Sequence, residues 1–315
     1  MTRVAVVDIG TNSTRLLVAE VEGDDSPCGL TFPRAIAPRA VLPRAVRELD
    51  RRTAVTRLGE GVDRSGRLGE AAQERVLEAL DSYRDAIASA DVRTGVLTSA
   101  VRDAANGSEF ATRVAREYGL SARTLTGDEE AQLTYRGATA LRDDHEPLLV
   151  IDVGGGSTEL VVGTRGVVSF HVSTQNGVVR HTERHLHHDP PTAQELEELA
   201  ADVRIPTAPA KAAVAVAGTA TSCAAIDLVL EPYDSGRVEG YVLSLERLCA
   251  IRDRLAALPL EELKRVPGLH PDRASVMVAG VVILIRVLEA YDLDRVEVSE
   301  RDILWGVALA STTSA

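Results

Sequence analysis

The chain has 315 residues, 45% of them hydrophobic, and a net charge of −12 at pH 7. This length suits two domains, and the acidic balance argues against a general nucleic-acid binder, which is usually basic. No apolar run approaches the ~20 residues of a membrane span. The three cysteines are scattered without a C-x-x-C pair, which favours a reducing cytoplasm and argues against a zinc ribbon or a disulfide scaffold. A predicted strand begins almost at the N-terminus, so we expect no signal peptide and a cytoplasmic location.

Periodicity predicts strands at the start of each half of the chain, with helices after them. The predicted strands span 4–8, 13–20, 92–98, 148–152, 158–163, 167–173 and 212–217. The predicted helices span 70–90, 109–118, 128–141, 193–202, 219–230, 245–258, 272–291 and 301–310. This order is typical of an α/β fold that has been repeated by duplication.

Some segments interrupt the pattern. Residues 24–50 contain four prolines, and we expect a surface excursion that joins two strands of the first sheet. Gly127 and Asp128 mark a predicted hinge, which divides the chain into domains 1–126 and 127–315. The segment 292–301 is charged and is predicted to be a solvated connection. The segment 276–288 is nearly all apolar and is predicted to be a core or dimer helix.

One motif occurs twice, 144 positions apart. Residues 7–18 read V-D-I-G-T-N-S-T-R-L-L-V, and residues 151–162 read I-D-V-G-G-G-S-T-E-L-V-V. Both copies predict a strand, a tight turn and a returning strand. Two such turns facing each other would form a cleft that holds a phosphorylated ligand from both sides.

The residue types in this motif suit phosphate chemistry. Glycines allow the backbone to approach a phosphate closely, the exposed N–H groups form an anion-binding nest, and the hydroxyls add donors. Asp8 and Asp152 end the two strands, where each could hold a hydrated Mg²⁺. The alternative for each copy alone is an ordinary hairpin turn rich in Gly, Asn and Ser. The predicted phosphate-binding residues of the two loops are Gly10, Thr11, Asn12, Ser13, Gly154, Gly155, Gly156, Ser157 and Thr158.

Two further segments suggest anion binding. Thr98 and Ser99 end a predicted strand, with Arg102 one turn further as a phosphate clamp. The alternative there is a capped turn with Arg102 in a surface ion pair. Gly218 and Thr219 follow an apolar strand and open a helix, where they could bind an anion or simply cap the helix.

Acidic and histidine clusters leave alternatives open. Glu129 and Glu130 open a predicted helix and differ by ~100° in direction, so one of them could point into a cleft as a base. The spacing does not choose between them. The histidines between 181 and 188 lie close in sequence, and we expect a partly exposed, pH-sensitive helix end more than a metal site.

Taken together, these motifs resemble the exopolyphosphatase/guanosine pentaphosphate phosphatase (Ppx/GppA) family of the actin-like ATPase superfamily, in the short two-domain form found in high-GC Gram-positive bacteria. The matching stretches run in family order from end to end. They are D-I-G-T-N-S-T-R-L-L (8–17), R-L-G-E-G-V (57–62), T-S-A-V-R-D-A-A-N (98–106), G-D-E-E-A (127–131), D-V-G-G-G-S-T-E-L (152–160), A-G-T-A-T (217–221) and V-S-E (298–300).

The resemblance implies two duplicated actin-like (ribonuclease H-like) domains with an interdomain cleft. It also implies hydrolysis of a terminal phosphoryl group from inorganic polyphosphate or from pppGpp of the stringent response. The implied cofactor is Mg²⁺ or another divalent cation, and the implied assembly is a homodimer without nucleic-acid or membrane partners.

The resemblance also implies roles for individual residues. Glu130 stands 22 residues before Asp152, which matches the family's general base. By the same match, Asp152, Ser157 and Glu159 handle metal and phosphate, with Asp8 as a further metal ligand. Arg102 resembles the family's phosphate clamp. Arg15, Arg57 and Arg180 are further candidates for that contact.

The chain departs from the family pattern in places. A common G-L-R-E-G pattern appears here as Asp302-Ile303-Leu304-Trp305-Gly306, without the Arg and Glu. A His often found before Gly240 is Glu239 here. These changes affect the expected chain-length preference and nucleotide acceptance, and leave the phosphate loops intact.

Three other functions are alternatives to hydrolysis. They are a phosphotransferase of the same fold, such as a small-molecule kinase, a non-hydrolytic sensor that binds polyphosphate or pppGpp, and an actin-like filament protein. The intact acidic residues at 130, 152 and 159 argue against the sensor.

Overall fold

The computed structural model describes residues 1–22 and 46–312, which form two compact units. Unit 1 comprises the described residues of Met1–Asp143 with Arg165–Val168 and those of Arg301–Ala315. Unit 2 comprises Asp144–Thr164 and Ser169–Glu300. Most of the predicted excursion at 24–50 lies outside the described residues.

Unit 1 combines one sheet with helices. Its strands are β1 (Thr2–Ile9), β2 (Ser13–Val21), β3 (Val46–Val55), β4 (Val92–Leu97) and β5 (Ser121–Thr124). Its helices are α1 (Val62–Ser65), α2 (Glu70–Ala88), α3 (Ser99–Asp103), α4 (Gly107–Tyr118), α5 (Gly127–Thr139) and, near the C-terminus, α13 (Ile303–Ser311).

Unit 2 follows the same plan. Its sheet contains β6 (Leu148–Val153), β7 (Thr158–Thr164), β8 (Val167–Thr174, which begins in unit 1), β9 (Ala212–Val216), β10 (Val242–Ser244) and β11 (Arg295–Val298). Its helices are α6 (Val178–His185), α7 (Ala193–Asp202), α8 (Ala217–Asp227), α9 (Ser235–Val238), α10 (Leu245–Ala256), α11 (Leu260–Leu263), a 3₁₀ turn (Pro271–Arg273) and α12 (Ala274–Ala290).

The two sheets share their strand topology, as a duplication predicts. The first sheet has the order β3-β2-β1-β4-β5, and the second has the order β10-β11-β9-β6-β7-β8. β1 pairs antiparallel with β2 and parallel with β4, while β6 pairs antiparallel with β7 and parallel with β9. The repeated motif therefore occupies the same β-hairpin in both units.

The central strand β1 is buried on both faces, which explains its continuous apolar run. Ala5, Val7 and Ile9 pack with residues of α2 and α4, whereas Val4 and Val6 pack on the other face with α5 and α13. Burial on both faces fixes the register of the strand, and with it the position of the hairpin that follows.

Helix α5 belongs to unit 1, which differs from the predicted boundary at 126/127. It packs closely against α13, because both helices carry a glycine at the crossing. A Cβ added at Gly137 would lie 1.9 Å from the Asp302 carbonyl oxygen, and one added at Gly306 would lie 1.8 Å from the Leu133 carbonyl oxygen. The C-terminal helix therefore returns to unit 1 and supports the helix that carries Glu129 and Glu130.

We predict that Gly306→Ala lowers the free energy of unfolding by roughly 3 kcal/mol or more, because the two backbones have to separate. Gly69→Ala is the matched control, since a Cβ added there would meet nothing within 4 Å. Urea denaturation of both variants measures the difference. Equal stability losses would show that the crossing tolerates a side chain.

Two of the segments that were predicted to interrupt the strands and helices contain strands. The end of the predicted excursion is part of β3, and the predicted solvated connection contains β11, an inner strand in which Val296 and Val298 are fully buried. The apolar segment at 276–288 lies in α12, whose side chains form much of the core of unit 2. Among the described residues, none of the helices has both the length and the apolar character that crossing a bilayer requires.

Candidate active site

The two glycine loops have the same closed geometry. In unit 1 the Gly10 N–H donates to the Ser13 carbonyl at 3.0 Å, and in unit 2 the Gly154 N–H donates to the Ser157 carbonyl at 2.9 Å. A Cβ at Gly10 or Gly154 would lie 3.2 or 3.1 Å from that same carbonyl oxygen, so glycine fits both turns best. The predicted strand–turn–strand motif is confirmed in both units.

A neighbouring segment holds the first loop from behind. The Thr11 carbonyl accepts from the Gly59 N–H at 2.8 Å, and the Asn12 carbonyl accepts from the Arg57 N–H at 2.9 Å. Because C=O and N–H point in opposite directions across a planar trans peptide, the N–H groups of Asn12 and Ser13 face away from this segment. They are therefore available to an anion on the other side. This contact explains the R-L-G-E-G-V motif, since a Cβ at Gly59 would lie 2.1 Å from Cγ2 of Thr11.

The second loop is held in the same way by the start of α6. The carbonyls of residues 154–156 accept in order from Val178 N, Val179 N and Arg180 Nε, at 3.0, 2.9 and 3.0 Å. The peptide N–H groups that follow these carbonyls, ending with that of Ser157, therefore face away from α6. Each loop thus presents its amide N–H groups on the side that faces away from its own supporting segment.

Two of the predicted phosphate-binding hydroxyls donate to backbone carbonyls inside the protein. Thr158 is fully buried and donates to the Asn176 carbonyl at 2.5 Å, and Thr219 donates to the Val153 carbonyl at 3.1 Å. We therefore assign these two hydroxyls to support of the second loop, in place of the predicted contact with phosphate. Gly218, beside Thr219, faces the Arg273 guanidinium, because a Cβ there would lie 1.5 Å from Nη1.

In unit 1, the first loop is linked to α3. The hydroxyls of Thr11 and Ser99 are 2.8 Å apart and buried, so one donates to the other and the acceptor keeps a proton to donate. Thr98 is the residue before α3 and is also buried. Arg102 lies on the same short helix, so α3 connects the first loop with the predicted phosphate clamp.

The structure distinguishes Glu129 from Glu130. Glu129 closes a capping box with Thr126 at the start of α5, and it also accepts from Arg123 Nη1 at 2.6 Å. Glu130 points to another side and is 7% exposed, with Oε2 3.0 Å from Arg102 Nη1. The helix therefore uses Glu129 as a cap and places Glu130 beside Arg102, the predicted phosphate clamp. Arg102 Nη1 also donates to the Leu125 carbonyl at 3.0 Å.

In the first hairpin, the strand-ending aspartate is held by arginine. Asp8 lies directly opposite Arg15 in the β1–β2 register and accepts from its Nε at 3.0 Å and its Nη2 at 2.6 Å. Arg15 also bonds to Asp302, the N-cap of α13. Burial raises the pKa of Asp8, and the charge and hydrogen bonds of Arg15 act in the opposite direction. Among the described residues, Oδ1 of Asp8 has no hydrogen-bond partner.

The second hairpin has two carboxylates in the equivalent positions. Asp152 lies directly opposite Glu159 in the β6–β7 register, both are buried, and Ser173 Oγ donates to Glu159 at 2.7 Å. Cross-strand neighbours lie on the same face of a sheet, so the two carboxylates offer their oxygens side by side, and carboxylate oxygens are ligands that divalent cations such as Mg²⁺ accept. The pair therefore fits a divalent cation. Arg15 occupies the position of Glu159 in the first copy, which makes that copy less suited to a metal.

The available carboxylates suit Mg²⁺, which keeps several water ligands, better than a metal ion whose ligands are all protein side chains. The described residues contain no group of three or more His, Cys, Asp and Glu side chains placed to hold a metal ion. Mg²⁺ commonly uses one or two carboxylates and completes its shell with waters and substrate phosphate oxygens. Asp152 and Glu159 meet that requirement within unit 2.

Cys223 and the histidines near the end of α6 were the remaining candidates from the sequence. Burial raises the pKa of the Cys223 thiol to about 12, so it stays protonated at neutral pH and is not a nucleophile. His185 is the last residue of α6, and its Nε2 lies 3.0 Å from a carboxylate oxygen of Asp202. His181 is 1% exposed, so the predicted partial exposure does not apply to it.

The sequence did not predict the supporting role of the residues that hold the site from behind. Gly59, Asn176 and Arg180 hold the loops, and Asp302 holds Arg15. The exchange of Glu159 for Arg15 between the two copies was visible in the sequence. This exchange indicates that the first hairpin pairs an acidic with a basic side chain, whereas the second pairs two acidic ones.

Comparison with known proteins agrees with this architecture. Residues 40–314 match the model of the Ppx/GppA phosphatase family. The chain is 35% identical to exopolyphosphatase 2 of Mycobacterium tuberculosis, over 98% of each chain. A solved exopolyphosphatase-like protein is 34% identical with a TM-score of 0.85, covering 98% of each chain. The Ppx/GppA family member of Aquifex aeolicus is 30% identical with a TM-score of 0.77, covering 98% of this chain and 97% of that one.

These matches span both units and confirm the predicted fold of two actin-like domains. The family match also includes the segments that carry Glu130 and the second loop. The chain therefore belongs to the Ppx/GppA phosphatase family.

Proposed function

We propose that this protein is a metal-assisted phosphohydrolase that releases terminal orthophosphate from inorganic polyphosphate. The observation that carries the proposal is the connected group in unit 1, in which the first glycine loop, α3 with Arg102, and buried Glu130 follow one another through direct hydrogen bonds. The group combines anion donors, a cation and a carboxylate. The relatives named exopolyphosphatase identify polyphosphate as the substrate to test.

In this mechanism the loops bind and Glu130 takes the proton. Amide N–H groups of the glycine loops hold phosphoryl oxygens, and Arg102 adds a charged donor. The oxygen of a water forms a bond to the terminal phosphorus, the bridging P–O bond breaks, and the shortened chain leaves with the bridging oxygen. Glu130 accepts the proton of the attacking water.

A divalent cation at Asp152 and Glu159 would neutralise the charge that develops on the phosphoryl oxygens. Positioning and charge neutralisation supply most of the catalysis, because a loose phosphoryl-transfer transition state needs little covalent help. The fully buried Cys223 has no part in this route.

The proposal is tested by measuring orthophosphate release from polyphosphates of defined length and from pppGpp, side by side, with Mg²⁺. We expect release from polyphosphate. Absence of release from every polyphosphate length would contradict the proposal, and turnover that depends on an added acceptor would indicate a phosphotransferase. Turnover of pppGpp, the homodimer and the cytoplasmic location remain predictions.

Arg102→Ala should raise the KM for polyphosphate roughly ten- to a hundredfold, the loss expected for one charge-assisted contact. It should also lower kcat, because the contact strengthens as charge develops on the phosphoryl group. Arg123→Ala is the matched control, since Arg123 makes the same kind of ion pair with the neighbouring Glu129. Steady-state kinetics that are equal in the two variants would place Arg102 in a structural ion pair only.

A further inference from the structure

The second glycine loop rests on a short ladder of hydrogen bonds from α6. Three consecutive loop carbonyls accept from three consecutive residues, 178–180, at 2.9 to 3.0 Å. Gly177 makes this close approach possible, because a Cβ there would lie 2.2 Å from the carbonyl carbon of Gly156. The loop and the start of α6 therefore form one packed unit.

The last bond of this ladder differs from the others in its donor. The first two loop carbonyls accept from backbone N–H groups, whereas the Gly156 carbonyl accepts from Nε of the Arg180 side chain at 3.0 Å. In unit 1 the corresponding donors are the backbone N–H groups of Thr56, Arg57 and Gly59. The support of the second loop thus depends on a side chain at one point, where substitution can remove the bond without changing the backbone.

That bond fixes a particular peptide plane. The Gly156 carbonyl and the Ser157 N–H belong to the same planar group and point in opposite directions. With the carbonyl held by Arg180, the Ser157 N–H is turned to the side on which the loop presents its donors. Without the bond, this glycine-rich peptide can rotate, because glycine restricts φ and ψ little.

The helix that carries Arg180 is itself fixed. His181 is buried, its backbone N–H donates to the Gly177 carbonyl at 2.9 Å, and its Nδ1 lies 3.2 Å from that same oxygen. The guanidinium is partly buried. Arg180 therefore starts from a rigid helix turn, as a positioning group requires.

We propose that Arg180 is a positioning residue for the hydrolysis, which acts by orienting the Ser157 N–H towards the transferred phosphoryl group. The inference rests on the proposed function, because it assumes that the second loop binds that group. It assigns the hydrogen bond from Nε, and not the positive charge of the side chain, as the feature that matters.

Three substitutions of Arg180 test its hydrogen-bond donor and its positive charge separately. Arg180→Gln places an amide nitrogen at the same number of bonds from the backbone as Nε, and so keeps the donor without the charge. Arg180→Lys keeps the charge but has a methylene at that position. Arg180→Met keeps neither. Thermal unfolding of each variant shows that it is folded, and the Gln and Lys variants decide the question even if the Met variant is unstable.

We expect the Gln variant to retain kcat within about threefold. The Lys and Met variants should lose roughly ten- to a hundredfold in kcat, the range for one hydrogen bond to a charged group, because the Ser157 N–H is no longer held towards the charged phosphoryl oxygen. KM should change less than kcat, since the oriented amide contributes most when charge develops on the phosphoryl group. Activity retained by Lys and lost by Gln would overturn the proposal, because Arg180 would then act through its charge. Equal kinetics in all three variants would overturn it as well.

Failure of the proposed function can be told apart from failure of this inference. A wild-type protein that releases no orthophosphate would contradict the proposed function. The affinity for tripolyphosphate, measured by isothermal titration calorimetry in the same variants, would still test the positioning of the loop. Weaker binding in Lys and Met than in Gln supports the inference, and the reverse order overturns it.

Discussion

Replacing Glu130 by glutamine should lower kcat for polyphosphate hydrolysis by about 10²–10⁴-fold, the usual contribution of a general base. Glutamine has nearly the same shape and can still meet Arg102, but it cannot accept a proton from water. Substrate binding should persist, so the measurement is kcat by orthophosphate release together with polyphosphate affinity by titration. A folded, binding-competent and slow variant is the expected outcome.

Glu129→Gln is the matched control for this substitution. The two glutamates are adjacent on α5, but Glu129 is engaged in the capping box with Thr126. Loss of part of a cap costs about 0.5–2 kcal/mol of stability and should leave kcat nearly unchanged. Near-normal kcat in Glu130→Gln, with a large loss in Glu129→Gln, would transfer the base to Glu129.

Removal of divalent cations should abolish hydrolysis, and added Mg²⁺ should restore it. Asp152 and Glu159 are buried opposite each other, and their carboxylate oxygens are ligands of the type that Mg²⁺ uses. Activity is measured in excess chelator and then across a Mg²⁺ titration. Full activity after verified metal removal would contradict the metal-assisted mechanism.

Glu159→Gln tests where that cation binds. We expect it to shift the Mg²⁺ activation curve to higher concentration, because one of the two facing carboxylates is lost. Glu195→Gln is the control, since Glu195 is also buried in unit 2 but closes the capping box of α7. A shift of equal size in both variants would place the metal elsewhere.

The glycine loops could be predicted from the sequence because their signals are local. A strand, a Gly-rich turn and a returning strand lie within twelve residues, and the second copy repeats them. Strand β11 could not be recognised as easily. Its two buried valines alternate with charged residues in a strand of only four residues, and it gains its place in the sheet from β9 and β10.

Contacts between residues that lie far apart in the sequence could not be predicted from local sequence patterns. Arg15 bonds to Asp302, which lies 287 positions later, and no local feature connects them. The place of α5 in unit 1 depends on the close contact between Gly137 and α13, which likewise joins distant parts of the chain. By contrast, a local feature distinguishes the two glutamates, because Glu129 forms the capping box of α5 with Thr126. The role of Glu130 as the base stays a prediction.

The most direct test of water attack at the terminal phosphorus is hydrolysis of polyphosphate in ¹⁸O-labelled water. If water attacks that phosphorus, each released orthophosphate carries one ¹⁸O from solvent and the shortened chain carries none, because the bridging oxygen leaves with the chain. Mass spectrometry of both products after partial turnover gives the answer. Label in the shortened chain, or orthophosphate without label, would contradict the account.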